Sequence, residues 1–229
     1  MNGFRYENKY VLTTAGYRML RTRLRALMEG DANVNEQGEY FIRSLYFDDA
    51  FQTGLTDKRE GALLREKFRI RFYNMDDSFI RLESKQKHDY LTKKESAVLT
   101  RAMVEDILAG ELWDLYDTDQ PLLRSFYLKS RNRRLRPAVI VDYTREAYTF
   151  EDVRITFDKR LHSGLFSHDL FNPELNGISP LEPGQMILEV KYNRYLPEHI
   201  KGILSTVPAA CCAISKYTLC RSFEPISED

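Results

Sequence analysis

Basic residues that alternate with apolar ones are the first feature of this sequence that could do chemistry. In the run 66–73, three bases alternate with three apolar residues: Lys67, Arg69 and Arg71 with Phe68, Ile70 and Phe72. Successive side chains of a β-strand point to opposite faces, so the three bases share one face of a predicted strand. Such a face can bind phosphate groups, because arginine forms paired hydrogen bonds with them and lysine supplies a point charge.

A solvated outer face would explain one strand of this kind, since lysine and arginine are common there. The same alternation recurs, however, in five further segments: Glu7-x-Lys9, Glu83-x-Lys85-x-Lys87, Tyr143-x-Arg145, Arg154-x-Thr156-x-Asp158 and Glu189-x-Lys191. Like charges side by side on a sheet repel one another, and cations that line a closed barrel need a counter-ion. The pattern therefore favours an extended polyanion, such as a chain of phosphates, with the carboxylates available for Mg²⁺ or Mn²⁺.

Strands and turns must position these residues. The polar run 74–78 is predicted to join 66–73 to a second alternating run, 79–87, as a hairpin. Further strands are predicted at 4–12, 41–47, 93–99, 138–148, 154–158 and 186–192. Thr13-Thr14 is predicted to cap a helix that runs to Gly30, and Thr100 a helix that ends at Gly110. Without a repeat or linker, residues 1–229 are predicted to form one domain, with a disordered acidic tail at about 224–229.

The composition excludes several classes of protein. Lysine plus arginine total 34 and aspartate plus glutamate total 34, so the net charge is zero, which argues against a general nucleic-acid-binding protein. Three cysteines without framework spacing favour a reducing compartment. We find no signal peptide and no run of about 18 apolar residues, so we expect a soluble cytoplasmic protein. Glycine-rich phosphate loops, zinc-ligand clusters and the Gly-x-Ser-x-Gly motif are also missing.

Eight motifs, taken in order, resemble the VTC domain, the catalytic domain of the vacuolar transporter chaperone polyphosphate polymerase. This domain belongs to the triphosphate tunnel metalloenzyme (CYTH-like) superfamily. The motifs are Arg5-Tyr6-Glu7-Asn8-Lys9-Tyr10, Ser44-Leu45-Tyr46-Phe47-Asp48, Lys67-Phe68-Arg69-Ile70-Arg71, Leu82-Glu83-Ser84-Lys85, Asp142-Tyr143-Thr144-Arg145, Arg154-Ile155-Thr156-Phe157-Asp158, Leu188-Glu189-Val190-Lys191 and Ser215-Lys216-Tyr217. The sequence contains no SPX domain or membrane helix and therefore resembles the stand-alone bacterial form.

The resemblance implies an α+β fold in which an antiparallel β-barrel with flanking helices forms a tunnel for the phosphate chain. It also implies transfer of the γ-phosphoryl group of ATP onto a growing polyphosphate chain, with Mn²⁺ or Mg²⁺. The cations implied to grip the phosphates during catalysis are Lys9, Arg69, Arg71, Lys85, Arg145, Arg154 and Lys216. Further substrate contacts are expected from Lys67, Lys94, Tyr143, Lys191 and Ser215. Glu189 would hold the metal, with Glu7 and Glu83 as possible helpers.

One part of the family pattern is incomplete. The basic residue that follows the second hairpin strand falls at Lys93 or Lys94, and we prefer Lys94. Where the family has Lys-x-Arg, this sequence reads Lys94-Glu95-Ser96. One cation at that end of the expected tunnel is therefore missing.

Three functions fit these residues. The first is a polyphosphate polymerase that uses ATP, and the second is a triphosphatase of the same superfamily that acts on inorganic triphosphate or a nucleotide. The third is a non-catalytic polyanion-binding domain, which Glu189 argues against because a simple anion receptor has little use for a carboxylate among its bases. The expected partners are ATP and polyphosphate or triphosphate, without a nucleic acid polymer. The chain itself is expected to carry no membrane segment. Whether it has a membrane partner stays open.

Overall fold

The computed structural model describes residues 6–32, 34–60, 62–88, 91–165 and 167–223. The acidic tail predicted at 224–229 lies outside these residues. The chain divides into two compact units. The first unit comprises Met1–Phe41, Tyr143–Leu161 and Ser179–Ser215, and the second comprises Ile42–Asp142, His162–Ile178 and Lys216–Asp229. The interpretation of residues 1–229 as one domain stays a prediction.

The chain combines nine strands with six α-helices within its described ranges. The strands are β1 (Tyr6–Thr13), β2 (Glu29–Gly30), β3 (Tyr40–Asp48), β4 (Leu64–Tyr73), β5 (Asp76–His88), β6 (Leu91–Leu99), β7 (Arg136–Phe150), β8 (Val153–Ser163) and β9 (Gln185–Tyr192). The helices are α1 (Thr14–Arg25), α2 (Thr53–Glu60), α3 (Arg101–Ala109), α4 (Pro121–Arg133), α5 (Glu198–Leu204) and α6 (Lys216–Cys220), with a short 3₁₀-helix at Trp113–Leu115. Among the described ranges, no helix has both the length and the apolarity to cross a bilayer.

The nine strands form one sheet, and the predicted fold class is confirmed. Hydrogen bonds connect the strands in the order β1-β9-β8-β7-β3-β4-β5-β6, with β2 paired to β7. The chain is thus an α+β protein whose antiparallel sheet is flanked by helices. The hydrogen-bonded order has two ends, β1 and β6, and closure of the sheet into a tunnel stays a prediction.

The core of the first unit contains α1 and one face of β8 and β9. Leu20 and Leu24 of α1 are fully buried and belong to the same apolar cluster as Phe157 and Leu188. The ring of Tyr17 meets that of Phe157 edge-on, with 5.0 Å between centroids. Because side chains alternate along a strand, this packing leaves the opposite face of β8 and β9 to their polar residues.

The core of the second unit lies on the apolar face of the predicted hairpin. Ile70 of β4 and Leu82 of β5 are fully buried and pair directly across the two strands. Phe126 of α4 covers this face, with its ring 5.3 Å from that of Phe68. The apolar half of the alternation therefore forms the core, as the sequence predicts, and the basic half lies on the other face.

The turn of this hairpin is tighter than the predicted run 74–78. Tyr73 pairs with Asp76, and the two residues between them, Asn74 and Met75, have φ angles of 51° and 57°. Two successive positive φ angles are characteristic of a type I′ turn, whose twist matches that of the flanking strands. A register shift between Arg71 and Tyr73 separates this turn from the paired polar side chains, so the turn alone does not set their register.

The predicted helix boundaries match the observed ones only where a local capping signal is present. The Thr100 side chain accepts a hydrogen bond from the backbone N–H of Met103, and Gly110 ends α3 at a φ of 87°, as predicted. Thr13 caps α1 in the same way, but the helix ends at Arg25 and not at Gly30. Glu29 and Gly30 instead form β2, which pairs with β7.

Candidate active site

The polar side of β3–β6 in the second unit carries most of the predicted cations, and we call it the basic face. Strand register places its residues in rows, because residues directly opposite on antiparallel strands point the same way. The basic face consists of Ser44, Tyr46, Lys67, Arg69, Arg71, Arg81, Glu83, Lys85 and Lys94. Each row holds residues from three or four adjacent strands.

One row of the basic face consists of three lysines. Lys67 lies opposite Lys85, and Lys85 lies opposite Lys94. Opposed residues have Cβ atoms about 5 Å apart, so the row brings like charges together on three adjacent strands. Lys93 pairs with Gln86 on the opposite side of β6. The register therefore places Lys94, and not Lys93, on the basic face.

The next row places a carboxylate among arginines. Arg69 lies opposite Tyr46 on one side and Glu83 on the other. Its Nη2 atom is 2.6 Å from Glu83 Oε2, and its Nη1 atom donates a hydrogen bond of 2.9 Å to the Tyr46 hydroxyl oxygen. Arg71 Nη1 lies 3.8 Å from the same glutamate oxygen. Burial raises the pKa of Glu83, but the charges of Arg69 and Arg71 outweigh burial and lower it overall.

The third row contains two more arginines. Arg71 lies opposite Ser44 and Arg81, and its Nε atom donates a hydrogen bond of 2.9 Å to Ser44 Oγ. The Arg81 guanidinium lies over the ring of Phe79, 4.4 Å from its centroid. Its Nε atom is buried and has no hydrogen-bond partner among the described residues. This part of the face thus retains donor capacity that an anion could use.

Helix α6 is fixed beside the basic face by a buried network. The Tyr217 hydroxyl donates a hydrogen bond to Asp48 Oδ2, and Arg221 Nη1 donates one of 3.0 Å to the Tyr217 hydroxyl oxygen. Lys67 Nζ lies 4.2 Å from the centroid of the Tyr217 ring. Lys216, the first residue of α6, is close enough to Tyr46 for its charge to lower the pKa of that phenol. The basic face therefore includes Lys216 as well.

The polar side of β1, β9, β8 and β7 in the first unit holds both signs of charge, and we call it the mixed face. Register gives one row of Glu7, Lys191 and Arg154, and a second row of Lys9, Glu189 and Thr156. Each row pairs an acid of one strand with a base of the next, Glu7 with Lys191 and Lys9 with Glu189, which is favourable for strand pairing. The predicted residues of three separate segments are therefore brought together within this unit.

Glu189 is the most buried carboxylate that the sequence assigns to a metal, with 4% of its surface exposed. It forms an ion pair with Lys191, and Glu7 forms one of 2.9 Å with Lys9. Burial lowers the pKa of Lys191 to about 8, although the charges of Glu189 and Glu7 act against that shift. Lys9 Nζ also donates a hydrogen bond of 3.3 Å to the carbonyl oxygen of Ile214.

Two arginines of the mixed face are held by aspartates. Arg145 donates from Nε and Nη2 to the two oxygens of the fully buried Asp158, at 2.7 and 2.9 Å. Burial lowers the pKa of Arg145, but the charge of Asp158 outweighs burial and raises it overall. Arg154 Nη2 is 2.7 Å from Asp31 Oδ2 and donates to the Tyr40 hydroxyl oxygen at 3.2 Å. Both guanidinium groups are therefore oriented before any ligand binds.

The predicted site residues are thus divided between the two faces. The basic face holds Lys67, Arg69, Arg71, Glu83, Lys85, Lys94 and Lys216, and the mixed face holds Glu7, Lys9, Arg145, Arg154, Glu189 and Lys191. Tyr143 is buried on β7, with the Arg145 guanidinium 5.3 Å from its ring centroid. Ser215 is half-buried and immediately precedes α6. The roles of all these residues stay predictions.

The site residues predicted from the sequence omit Arg81 of β5 and two further residues of the basic face, Ser44 and Tyr46. Both lie on β3, where nearly every residue is buried, so no polar and apolar alternation marks the strand. The signal that identifies them is pairing, because they lie opposite Arg71 and Arg69. Pairing depends on register, which the sequence of β3 alone does not specify.

No group of three or more histidine, cysteine, aspartate or glutamate side chains is arranged to hold a metal within the described part of the chain. Glu189 and Glu7 lie on the mixed face, whereas Glu83 lies on the basic face between two arginines. The carboxylate oxygens of Glu189 and Glu7 are of the hard type that Mg²⁺ and Mn²⁺ prefer. Phosphate oxygens of a substrate would have to complete such a coordination shell.

Comparison with protein families gives a match over nearly the whole chain. A family model described as the VTC domain matches residues 4–223. A search of curated proteins gives no match.

Similar solved structures include a candidate adenylate cyclase from Bacillus halodurans, with 13% identity, coverage of 89% of this chain and 86% of that chain, and a TM-score of 0.49. A second candidate adenylate cyclase, from Vibrio parahaemolyticus, has 11% identity, coverage of 90% and 85%, and a TM-score of 0.46. The PH1819 protein of Pyrococcus horikoshii has 14% identity, coverage of 88% and 85%, and a TM-score of 0.40.

Proposed function

Because this chain belongs to the VTC domain family, we propose that it is a polyphosphate polymerase, which transfers the γ-phosphoryl group of ATP onto a growing polyphosphate chain. The observation that carries the proposal is the basic face. Three lysines in one row, next to Arg69 and Arg71, form a surface that matches an extended chain of phosphates. A small anion such as a single phosphate would cover only one row.

The charge arrangement of the basic face supports an elongated ligand in particular. Lys67, Lys85 and Lys94 extend across three strands, which are spaced about 4.8 Å apart. Like charges at this spacing repel one another, and a polyanion that lies across the strands would relieve the repulsion. The arginine rows beside the lysines add planar donors suited to phosphate oxygens.

The proposed reaction suits a site without an activated nucleophile. Phosphoryl transfer requires alignment of donor and acceptor and neutralisation of charge more than it requires a covalent intermediate. Donors that are already oriented stabilise the charge of the transition state without rearranging during the reaction. Arg69 and Arg145 are held by Glu83 and Asp158 in this manner. We propose that they, with the other predicted cations, orient the phosphates.

A divalent metal would withdraw negative charge from the transferred phosphoryl group. Glu189 and Glu7 would hold this metal. The ion pair of Glu189 with Lys191 is compatible with this role. A lysine with a pKa of about 8 loses its proton readily once a dication neutralises the adjacent carboxylate. Glu83 fits the role less well, because Arg69 and Arg71 already neutralise its carboxylate.

The test is incubation of the purified protein with ATP and Mn²⁺, followed by separation of long-chain polyphosphate from free phosphate. Polyphosphate is the expected product, and its formation should fall strongly in Arg69→Ala. Arg133→Ala, which removes an exposed arginine in the last turn of α4, is the matched control and should retain activity.

The other outcomes of this experiment separate the alternative functions. Free phosphate without polyphosphate would identify a triphosphatase, because water would then occupy the acceptor position. Binding of tripolyphosphate without either product, under Mg²⁺ as well as Mn²⁺, would leave a polyanion-binding domain. Either result would overturn the proposal of a polymerase.

A further inference from the structure

Tyr46 is a buried tyrosine that faces cations and not the apolar core. Its neighbours along β3, Leu45 and Phe47, belong to the core cluster of the second unit, so the Tyr46 side chain lies on the opposite side of the strand. Only 9% of its surface is exposed. A tyrosine that served only to fill space would be expected among the apolar residues, where its ring would be buried most favourably.

The hydroxyl group of Tyr46 has unused donor capacity. Its oxygen accepts the 2.9 Å hydrogen bond from Arg69 Nη1, so the hydroxyl proton must point elsewhere. Among the described residues, the Tyr46 hydroxyl donates no hydrogen bond. By contrast, the Tyr217 hydroxyl, whose ring centroid is 5.3 Å from that of Tyr46, donates to Asp48.

The charges around Tyr46 come from three elements. Arg69 and Arg71 lie on β4, Glu83 on β5 and Lys216 on α6, while Tyr217 supplies a neutral ring. The ion pair of Arg43 with Asp142 lies on the other side of β3. Burial raises the pKa of Tyr46, but Arg69, Arg71 and Lys216 outweigh burial and lower it to about 8. The pKa values of four other tyrosines are raised: Tyr10, Tyr17, Tyr40 and Tyr148.

We propose that Tyr46 is a further substrate-contacting residue, whose hydroxyl group donates a hydrogen bond to a phosphate oxygen held by Arg69 and Arg71. The inference rests on the proposed function, since it assumes that a phosphate chain binds the basic face. It assigns Tyr46 a contact that neither the charge pattern nor the implied site residues include. A phosphate oxygen in that position would be the acceptor that the hydroxyl proton lacks.

This contact makes phosphate affinity depend on the protonation of Tyr46. The phenol donates to phosphate, whereas the phenolate cannot donate and repels the anion. Bound phosphate therefore favours the protonated form and raises the pKa of Tyr46. By linkage, phosphate affinity is greatest below the pKa of the free protein and falls as the pH rises through it.

The experiment measures tripolyphosphate affinity by calorimetry, in metal-free buffer of constant ionic strength, for the wild type and Tyr46→Phe. We expect Tyr46→Phe to bind about tenfold more weakly at neutral pH, which corresponds to one hydrogen bond to a charged group. The wild-type affinity divided by the Tyr46→Phe affinity should decline to about one near pH 9, where the wild-type tyrosine has ionised. Tripolyphosphate also changes its own protonation with pH, but this affects both proteins equally and cancels in the affinity ratio. Tyr116→Phe, which removes the hydroxyl of a half-exposed tyrosine beside the 3₁₀-helix, is the matched control and should follow the wild type.

Equal affinities of the wild type and Tyr46→Phe at every pH would overturn the inference while leaving the proposed function intact. A weaker affinity that stays constant while Tyr46 ionises would also overturn it, because Tyr46 would then have only a structural role. Failure of the wild type to bind tripolyphosphate would instead overturn the proposed function, and the inference with it.

A second measurement needs no variant: near-ultraviolet absorbance should show one tyrosine that ionises near pH 8, and tripolyphosphate should raise that pH. An ionisation that tripolyphosphate does not shift would contradict the contact.

Discussion

Replacement of Glu83 by glutamine offers a test of whether the basic face is built to receive an anion. In the ligand-free protein the carboxylate lies 2.6 Å from Arg69 and 3.8 Å from Arg71, and 20% of its side chain is exposed. Glutamine keeps the shape and one acceptor oxygen but loses the charge. The Arg69 hydrogen bond then changes from charge-assisted to neutral, which lowers the free energy of unfolding by about 1–2 kcal/mol.

The same change should strengthen binding of a polyanion. Tripolyphosphate no longer competes with the carboxylate, and it replaces the counter-ion that the variant lacks. If tripolyphosphate restores the charge-assisted contact that the free variant loses, the loss in stability reappears as affinity, so Glu83→Gln should bind tripolyphosphate about five- to tenfold more tightly. Urea denaturation with and without tripolyphosphate measures the stability difference, and calorimetry in metal-free buffer measures the affinity.

The pH dependence of the stability difference identifies its source. The pKa of Glu83 is lowered in the folded protein, so its contribution is fully present above the unfolded value of about 4.3 and is lost as the pH falls through the folded value. The wild type and Glu83→Gln should therefore converge in acid. Glu105→Gln, which removes an exposed partner of Arg101 on α3, is the control and should change stability by no more than about 0.5 kcal/mol. Weaker tripolyphosphate binding by Glu83→Gln would refute this reasoning and show that the orientation of Arg69 by Glu83 outweighs the competition between the carboxylate and the ligand.

Three further predictions concern the mixed face and the buried ion pairs. Glu189→Gln should abolish turnover of ATP with Mn²⁺ but leave tripolyphosphate binding in metal-free buffer nearly unchanged; equal loss of both would argue against a metal role. Burial raises the pKa of Glu146, but hydrogen bonds from Lys159, Tyr148, Tyr17 and Arg21 lower it to about 2, so Glu146→Gln should cost about 2–3 kcal/mol at neutral pH. In urea titrations this difference should disappear as the pH falls from about 4.5 towards 2, and a constant difference would contradict the assignment. Arg43→Ala should destabilise the protein by about 3–5 kcal/mol in urea, because it leaves buried Asp142 without its partner at 2.7 Å; a loss below about 1 kcal/mol would contradict a structural role for the pair.

The sequence contains enough information to predict which side chains share the polar side of a strand. The period of two along a strand assigns Lys67, Arg69 and Arg71 to one side without any knowledge of the fold, and apolar Phe68 and Ile70 confirm the assignment by forming core. The caps at Thr13 and Thr100 are also predictable, because the groups that satisfy the first helical N–H lie within a few residues.

What the sequence could not provide depends on pairing between distant segments. α1 ends at Arg25 because residues 29–30 pair with β7, more than a hundred positions later. Tyr46 belongs to the basic face because β3 pairs with β4 in one particular register. The row of three lysines has the same origin, since a shift of one residue would place Lys93 and not Lys94 beside Lys85.

The most direct test of the central claim is a crystal structure of the protein soaked with tripolyphosphate and Mn²⁺. We predict phosphate density on the basic face, within hydrogen-bonding distance of the Arg69 guanidinium and the Lys85 amine. The claim would be contradicted by phosphates that bind only away from this face, with the three lysines of the row in the same positions as in the ligand-free protein.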